Sequence, residues 1–109
     1  MLQNGTKNKS YHRLKYNLKA IYNSKVIAES DKGIHLEGNY YFPPEAVNME
    51  YLKQNSETYT CSSKGDASYY DVVVGDKIGK SNAGAYKEPL DATKNIAGYV
   101  AFWKDVEIT

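Results

Sequence analysis

The amino-acid sequence predicts a mainly β domain with about eight short strands and one short helix. Eleven tyrosines stand against two phenylalanines and one tryptophan, and tyrosine suits the half-buried surface of a pleated sheet. Short apolar or alternating segments are separated by turn residues, most clearly at Gly75-Asp76 between two β-prone runs. Because 109 residues support one hydrophobic core, we expect residues 16–109 to form a single domain.

The first half of the chain contains four predicted strands. Residues 1–15 mix polar and charged residues without periodicity, which predicts a flexible N-terminal arm. Strands are expected over residues 16–22, 26–29, 34–37 and 40–42, the last of which ends at Pro43-Pro44 because proline cannot donate to a ladder. Residues 45–52 fit a helical turn and a short strand equally well.

The second half predicts a hairpin, a short helix and a buried strand. A strand over residues 57–60 leads into a loop, and residues 67–74 pair with the strand that starts at residue 77. Residues 82–89 are expected to form a loop. Asp91 caps a short helix that Gly98 ends, and the apolar run over residues 99–103 predicts a buried strand, with an edge strand at 106–108.

Composition excludes several functional classes. The net charge of +1 provides no long-range field, which argues against nucleic acid or an acidic membrane as the partner. No segment has the apolar length of a membrane span or a signal-peptide core, so we expect a cytoplasmic protein. One cysteine excludes an internal disulfide, and His12 and His35 offer no metal-ligand spacing with it. We therefore expect neither a metal nor a cofactor.

The loop that contains Cys61, Lys64 and Gly65 is the strongest candidate site. A lysine followed by glycine suggests a backbone that approaches a ligand while an ammonium group points at it, and such a ligand would be anionic. Glu29 either faces the same cavity as Lys64 or is an unrelated surface residue. Cys61 is either a small buried hydrophobe or a free thiol, and Lys64 is the cation that would lower its pKa.

Tyrosines at six positions either line a cavity or pack within the sheets. These residues are Tyr40, Tyr41, Tyr69, Tyr70, Tyr86 and Tyr99.

Four ordered blocks carry a resemblance to a known family. They are residues 26–30, 40–43, 60–70 and 96–103, and together they resemble the family known as domain of unknown function four hundred and twenty-seven. The resemblance implies two sheets in a small β-tent-like arrangement, similar to Mss4-like proteins and methionine sulfoxide reductase type B. This chain lacks the paired Cys-x-x-Cys motifs of those proteins, which agrees with a metal-free version.

The chain departs from the related pattern in two places. Relatives tend to carry proline and an aromatic residue where this chain has Ser62 and Ser63, so one wall of a pocket would be smaller or more polar here. Relatives also read Asn-Ala-Ala-Trp, and we expect Gly84 to replace that tryptophan. Either the ligand differs, or Trp103 or a tyrosine compensates, or the site has decayed.

Three functions remain open from the sequence. The first is a small-ligand-binding domain with a pocket between the sheets and an anionic or nucleotide-like ligand. Its predicted site residues are Glu29, Tyr41, Cys61, Lys64, Gly65, Tyr69 and Tyr99. The second, which rests on a nucleotidyltransferase label attached to the related family, is an enzyme acting on a phosphorylated small molecule. The third is a protein-interaction module that uses a sheet edge. The oligomeric state does not follow from the sequence.

Overall fold

Ten strands and three short 3-10 segments make up residues 11–109, which are the residues that the computed structural model describes. The strands are β1 (Tyr11–Arg13), β2 (Leu18–Tyr22), β3 (Lys25–Ser30), β4 (Ile34–Leu36), β5 (Asn39–Phe42), β6 (Leu52–Cys61), β7 (Gly65–Val74), β8 (Lys77–Ala85), β9 (Val100–Phe102) and β10 (Glu107–Ile108). The 3-10 segments are Pro44–Ala46, Met49–Tyr51 and Asp91–Ile96. No helix among these residues is long and apolar enough to cross a membrane.

The strands form two antiparallel sheets. The larger sheet has seven strands in the order β1-β4-β5-β9-β8-β7-β6, and the smaller has three in the order β10-β2-β3. Neighbours in sequence pair directly at β2-β3, β4-β5, β6-β7 and β7-β8, as expected for hairpins. The prediction of a small, mainly β domain with two sheets is therefore confirmed.

The main core lies between the two sheets. One face of the larger sheet packs on the smaller sheet, and aromatic rings such as Phe42 and Phe102 meet edge to face with centroids 5.6 Å apart. Fifteen buried side chains form this cluster: Leu18, Ala20, Tyr22, Ile27, Ala28, Phe42, Val47, Tyr70, Val72, Val74, Ala83, Ala85, Val100, Phe102 and Val106. Burial of this apolar surface supplies the main driving force for folding.

A second, smaller cluster lies on the opposite face of the larger sheet. Because side chains alternate along a strand, Phe42 enters the main core whereas Tyr41 enters this second cluster. Tyr41 is joined there by Ile34, Leu36 and Ala101, and by Ile96 from the last 3-10 segment. The 3-10 segment therefore covers part of a face that the smaller sheet leaves uncovered.

Four local predictions differ from the structure. The strand expected over residues 57–60 is longer, because β6 already begins at Leu52. Tyr11–Arg13 lies within the predicted arm but forms β1 and pairs with β4, while residues 1–10 lie outside the described residues. Strand β8 continues to Ala85, where a loop was expected, because its last residues pair with β9. The predicted helix is a 3-10 segment, interrupted at Thr93, whose φ of −128° is not helical.

A β-bulge where β6, β7 and β8 meet buries one carboxylate. The register of β7 against β8 shifts between Tyr70 and Val72, which leaves Asp71 at the bulge. Its carboxylate accepts hydrogen bonds from the Asn55 side chain at 2.8 Å and the Ser81 backbone N–H at 3.0 Å. These two hydrogen bonds, together with the charge of Lys80, hold the pKa of Asp71 below its usual value.

Replacing Asp71 with asparagine should destabilise the domain in a pH-dependent way. Because the folded-state pKa is lowered, the contribution of Asp71 is present above the unfolded pKa and is lost as the pH falls through the folded one. We expect Asp71→Asn to lower the free energy of unfolding by about 2 kcal/mol near pH 7, and by much less in acid. Urea denaturation at both pH values measures this. Asp31→Asn, at an exposed position, is the matched control and should have little effect at either pH.

Candidate functional site

Two turns of the larger sheet bring a carboxylate and an ammonium group together. Glu37 and Gly38 form the two-residue turn between β4 and β5, with φ values of 52° and 85°, both positive as a type I′ turn requires. Lys64 ends the turn between β6 and β7, and Gly65 follows with a φ of 101°, a conformation that glycine adopts without strain. The side chains of Glu37 and Lys64 form an ion pair.

Lys64 is a buried cation with a partly exposed partner. The Lys64 side chain is only 9% exposed, whereas the Glu37 side chain is 50% exposed. Burial disfavours the charged ammonium group, but the hydrogen bond and the negative charge of Glu37 outweigh this effect, so the pKa of Lys64 is raised. Lys64 therefore remains protonated at neutral pH.

The thiol of Cys61 lies beside the same ammonium group. Its Sγ is 3.7 Å from Lys64 Nζ and 3.4 Å from Ser63 Oγ. The hydrogen bond with the Ser63 side chain is the largest influence on the pKa of Cys61; burial opposes it, while backbone N–H groups and the Lys64 charge reinforce it. The pKa of Cys61 falls to about 7, so a large fraction of this thiol is ionised at neutral pH.

An aromatic cavity of about 240 Å³ lies next to this cluster. Four tyrosines and the tryptophan contribute most of its wall. The lining residues are Asn39, Tyr41, Tyr59, Ala67, Tyr69, Gly84, Ala85, Tyr86 and Trp103. Tyr86 connects the cavity to the polar cluster, because Lys64 Nζ lies 6.0 Å from the centroid of its ring.

Trp103 occupies space that Gly84 leaves free. A Cβ atom on Gly84 would lie 2.8 Å from Cη2 of Trp103 and 3.2 Å from the Ser68 carbonyl oxygen, so only glycine permits this packing. The indole N–H donates to the Ser81 carbonyl oxygen at 3.0 Å, and the ring meets Tyr69 edge to face at 6.0 Å. Both interactions fix the orientation of the indole in the wall of the cavity.

Three tyrosines of the wall, Tyr41, Tyr69 and Tyr86, stay uncharged at neutral pH. Burial is the main influence that raises the pKa of each of Tyr41, Tyr69 and Tyr86. In the part of the chain that the structure describes, the wall contains no Asp, Glu, Lys, Arg or His. The cavity is therefore neutral, with phenolic hydroxyls as its principal polar groups.

The sequence matches one known protein family over most of the chain. The match covers residues 10–109, and the matching family is described as domain of unknown function (DUF427). The chain belongs to the DUF427 family. A comparison with curated proteins gave no significant match.

The DUF427 domain brings some of the predicted site residues together and separates others. Tyr41 and Tyr69 line the cavity, and Lys64, Gly65 and Cys61 lie in or beside the adjoining turn. Tyr99 packs against the second cluster. The six candidate tyrosines divide accordingly: Tyr41, Tyr69 and Tyr86 line the cavity, whereas Tyr40, Tyr70 and Tyr99 pack against the hydrophobic clusters.

Of the two alternatives for Glu29, the structure supports an unrelated surface residue and not a cavity shared with Lys64. Glu29 lies on β3 of the smaller sheet, is exposed, and accepts a hydrogen bond from Asn17 Nδ2 at 2.7 Å. Glu37 provides the carboxylate instead. The position predicted for the pocket also differs, because the cavity lies on the face of the larger sheet that points away from the smaller sheet.

The sequence prediction missed Glu37 because no local pattern marks it. Glu37 ends an alternating segment, and its partner is 27 residues away along the chain. Trp103 was named only as one replacement for a missing tryptophan. The expectation that Gly84 replaces the tryptophan is off by one residue, because the fourth residue counted from Asn82 is Ala85. Gly84 instead leaves room for the ring of Trp103.

Metal ligands are not grouped in the described part of the domain. Among residues 11–109, no three His, Cys, Asp or Glu side chains lie close enough together to hold a metal ion. The reactive groups at the site are one ion pair, one thiol and the phenolic hydroxyls.

Removing the Glu37 carboxylate should destabilise the DUF427 domain more than removing that of Glu29. Glu37→Gln leaves the buried ammonium group of Lys64 without its counter-charge, and we expect a loss of about 1–2 kcal/mol in the free energy of unfolding. Glu29→Gln is the matched control and should cost less than about 0.5 kcal/mol. Urea denaturation measures both. Equal effects of the two substitutions would contradict the assigned ion pair.

The reactivity of Cys61 should rise at a lower pH than that of an ordinary thiol. We expect the rate of alkylation by iodoacetamide to reach half its maximum near pH 7, the pKa of Cys61, instead of about 8.5. Ser63→Ala should move this midpoint upward, because it removes the hydrogen bond that stabilises the thiolate. Ser62→Ala is the neighbouring control and should leave the midpoint unchanged. A midpoint above pH 8 in the natural chain would refute the assignment.

Proposed function

We propose that this DUF427 domain binds a small uncharged molecule with a flat ring, such as a nucleobase, in its aromatic cavity. The observation that carries the proposal is a neutral cavity whose wall is built from four tyrosines and the tryptophan. Aromatic walls suit flat ligands because the rings contribute contact area with little loss of conformational entropy, and tyrosine hydroxyls add hydrogen bonds.

The volume limits the ligand to a small one. Typical pockets for drug-sized ligands enclose about 300–1,000 Å³. The cavity of about 240 Å³ falls below this range. It suits one or two fused rings, so a bulky multi-ring cofactor is a poor candidate.

The charges near the cavity favour an uncharged ligand over an anion. A lysine without a counter-ion would favour an anionic ligand, but Lys64 already forms an ion pair with Glu37. A phosphate or carboxylate would have to displace Glu37 or share the ammonium group with it, and like charges held close together repel. Within a nucleotide-like ligand, the base is therefore the part that the cavity suits.

The other two expected functions gain less support. A nucleotidyltransferase-like enzyme would hold magnesium with one or two carboxylates and the phosphates of its substrate. Within residues 11–109, the wall of the cavity contains no Asp or Glu. A protein-interaction module remains a prediction that rests on β6, an exposed edge strand of the larger sheet. The cavity is the more specific feature, so we base the proposed function on it.

Fluorescence titration tests the proposal, because the single tryptophan of the chain lines the cavity. The full chain should be titrated with a panel of nucleobases, nucleosides, monosaccharides and aromatic carboxylates. We expect a saturable change in Trp103 fluorescence for an uncharged ring compound and a weaker response to the carboxylates. Saturation by the carboxylates alone would contradict the proposed ligand class, and no saturation by any compound would contradict the proposed function.

Two substitutions locate the binding site. Ala67→Leu fills part of the cavity and should weaken binding at least about tenfold, since it removes space that the ligand needs. Tyr16→Ser, at a residue that is 53% exposed and does not line the cavity, is the control and should leave the affinity unchanged. Equal affinities of the two variants would place the ligand elsewhere.

A further inference from the structure

Asn39 is the polar side chain of the cavity to which the proposed function gives no role. It lines the cavity and is partly buried. Asn39 begins β5 directly after the Glu37-Gly38 turn, and Tyr41 follows two residues later on the same strand. Because side chains alternate along a strand, Asn39 and Tyr41 lie on the same face of the larger sheet, where both line the cavity.

Two other polar groups of the wall already have partners within the protein. The indole N–H of Trp103 donates to the Ser81 carbonyl oxygen at 3.0 Å. The Tyr86 side chain forms a hydrogen bond with the side chain of Cys61. A ligand would have to replace these existing hydrogen bonds in order to use either group, which reduces what it gains from them.

A hydrogen bond to Tyr41 holds the amide of Asn39. Burial, the largest influence, raises the pKa of Tyr41, while the charge of Lys64 and the hydrogen bond with Asn39 lower it. A hydrogen bond lowers the pKa of a phenol when it favours the phenolate, so the Asn39 N–H donates to the phenolic oxygen. A carboxamide has two N–H donors and one carbonyl acceptor. The hydrogen bond to Tyr41 therefore uses only one of the two N–H groups and leaves the carbonyl oxygen free of that contact.

The amide can discriminate between ligands more sharply than the phenolic hydroxyls can. A hydroxyl rotates to donate or to accept, so it fits many kinds of ligand edge. An amide that is held by a hydrogen bond presents its donor and its acceptor side by side in a fixed order. Of the nine lining residues in the described part of the chain, Asn39 is the one with an amide side chain.

We propose that Asn39 makes the cavity selective for heterocycles that carry a hydrogen-bond donor next to an acceptor, as in the amide edge of uracil or the amidine edge of adenine. This inference rests on the proposed function, because the ring of the ligand occupies the same cavity. The Asn39 carbonyl oxygen accepts from the donor of the ring, and the second Asn39 N–H donates to the neighbouring acceptor. Asparagine recognises adenine through the same pair of hydrogen bonds in protein–DNA complexes.

Two matched pairs of compounds test this selectivity on the full chain. 9-Methyladenine carries an amino donor beside ring acceptors, whereas 9-methylpurine has the same two rings and no N–H donor. 1-Methyluracil and 1,3-dimethyluracil form the corresponding pyrimidine pair. Titration with Trp103 fluorescence as the signal should give a Kd at least about tenfold lower for the donor-bearing member of at least one pair.

Asn39→Leu removes the amide and keeps a side chain of similar size. It should bring the two Kd values of that pair to within about twofold of each other, because neither compound can then pair with the side chain. A change in the shape of the cavity would instead weaken both compounds alike and leave their ratio intact. Asn17→Leu, at an exposed position before β2 of the smaller sheet, is the matched control and should leave the ratio unchanged.

The outcomes distinguish this inference from the proposed function. Equal Kd values within both pairs overturn the inference, and so does a ratio that persists in Asn39→Leu. The comparison in the natural chain needs no variant, so it decides the matter even if Asn39→Leu does not fold. If uncharged rings bind saturably without this selectivity, the proposed function stands alone. If no ring compound gives a saturable signal, both fail.

Discussion

The ion pair between Lys64 and Glu37 is the interaction on which the arrangement of the site depends. Each residue lies in a turn, and the two turns connect different strand pairs of the larger sheet. The buried ammonium group needs its counter-charge, because an unpaired charge in a poorly solvated position is costly. The pair therefore ties the β4-β5 turn to the β6-β7 turn and fixes Cys61 beside the cavity.

Glycine permits both the ion pair and the aromatic wall. Gly65 follows Lys64 with a φ of 101°, so the chain can reverse directly after the buried side chain. Gly84 has a different role, because the missing side chain leaves room for the indole of Trp103 against β8. One glycine thus sets a backbone conformation, and the other creates space for a large ring.

Local patterns predicted most strands but not the contacts between distant residues. Alternation and turn residues identified the hairpins around Asn23-Ser24 and Gly75-Asp76, because these signals act over a few neighbouring residues. Strand β8 was predicted too short. Its last residues pair with β7 beyond a bulge and with β9, and no local pattern marks either the bulge or the distant partner. Glu37 was missed for the same reason. Its role depends on the contact between the β4-β5 turn and the β6-β7 turn. The residues next to Glu37 in the sequence do not indicate this contact.

The separation of charge from the cavity has a chemical consequence. If Lys64 faced the cavity without a counter-ion, anions would be the favoured ligands and the amine would dominate recognition. Because Glu37 neutralises Lys64, the ligand recognition that we propose falls to the tyrosines of the cavity and to Trp103. The ammonium group acts on its other neighbour, the thiol of Cys61. A neutral cavity and a thiol with a lowered pKa can then coexist on the larger sheet, which a single unpaired lysine would not allow.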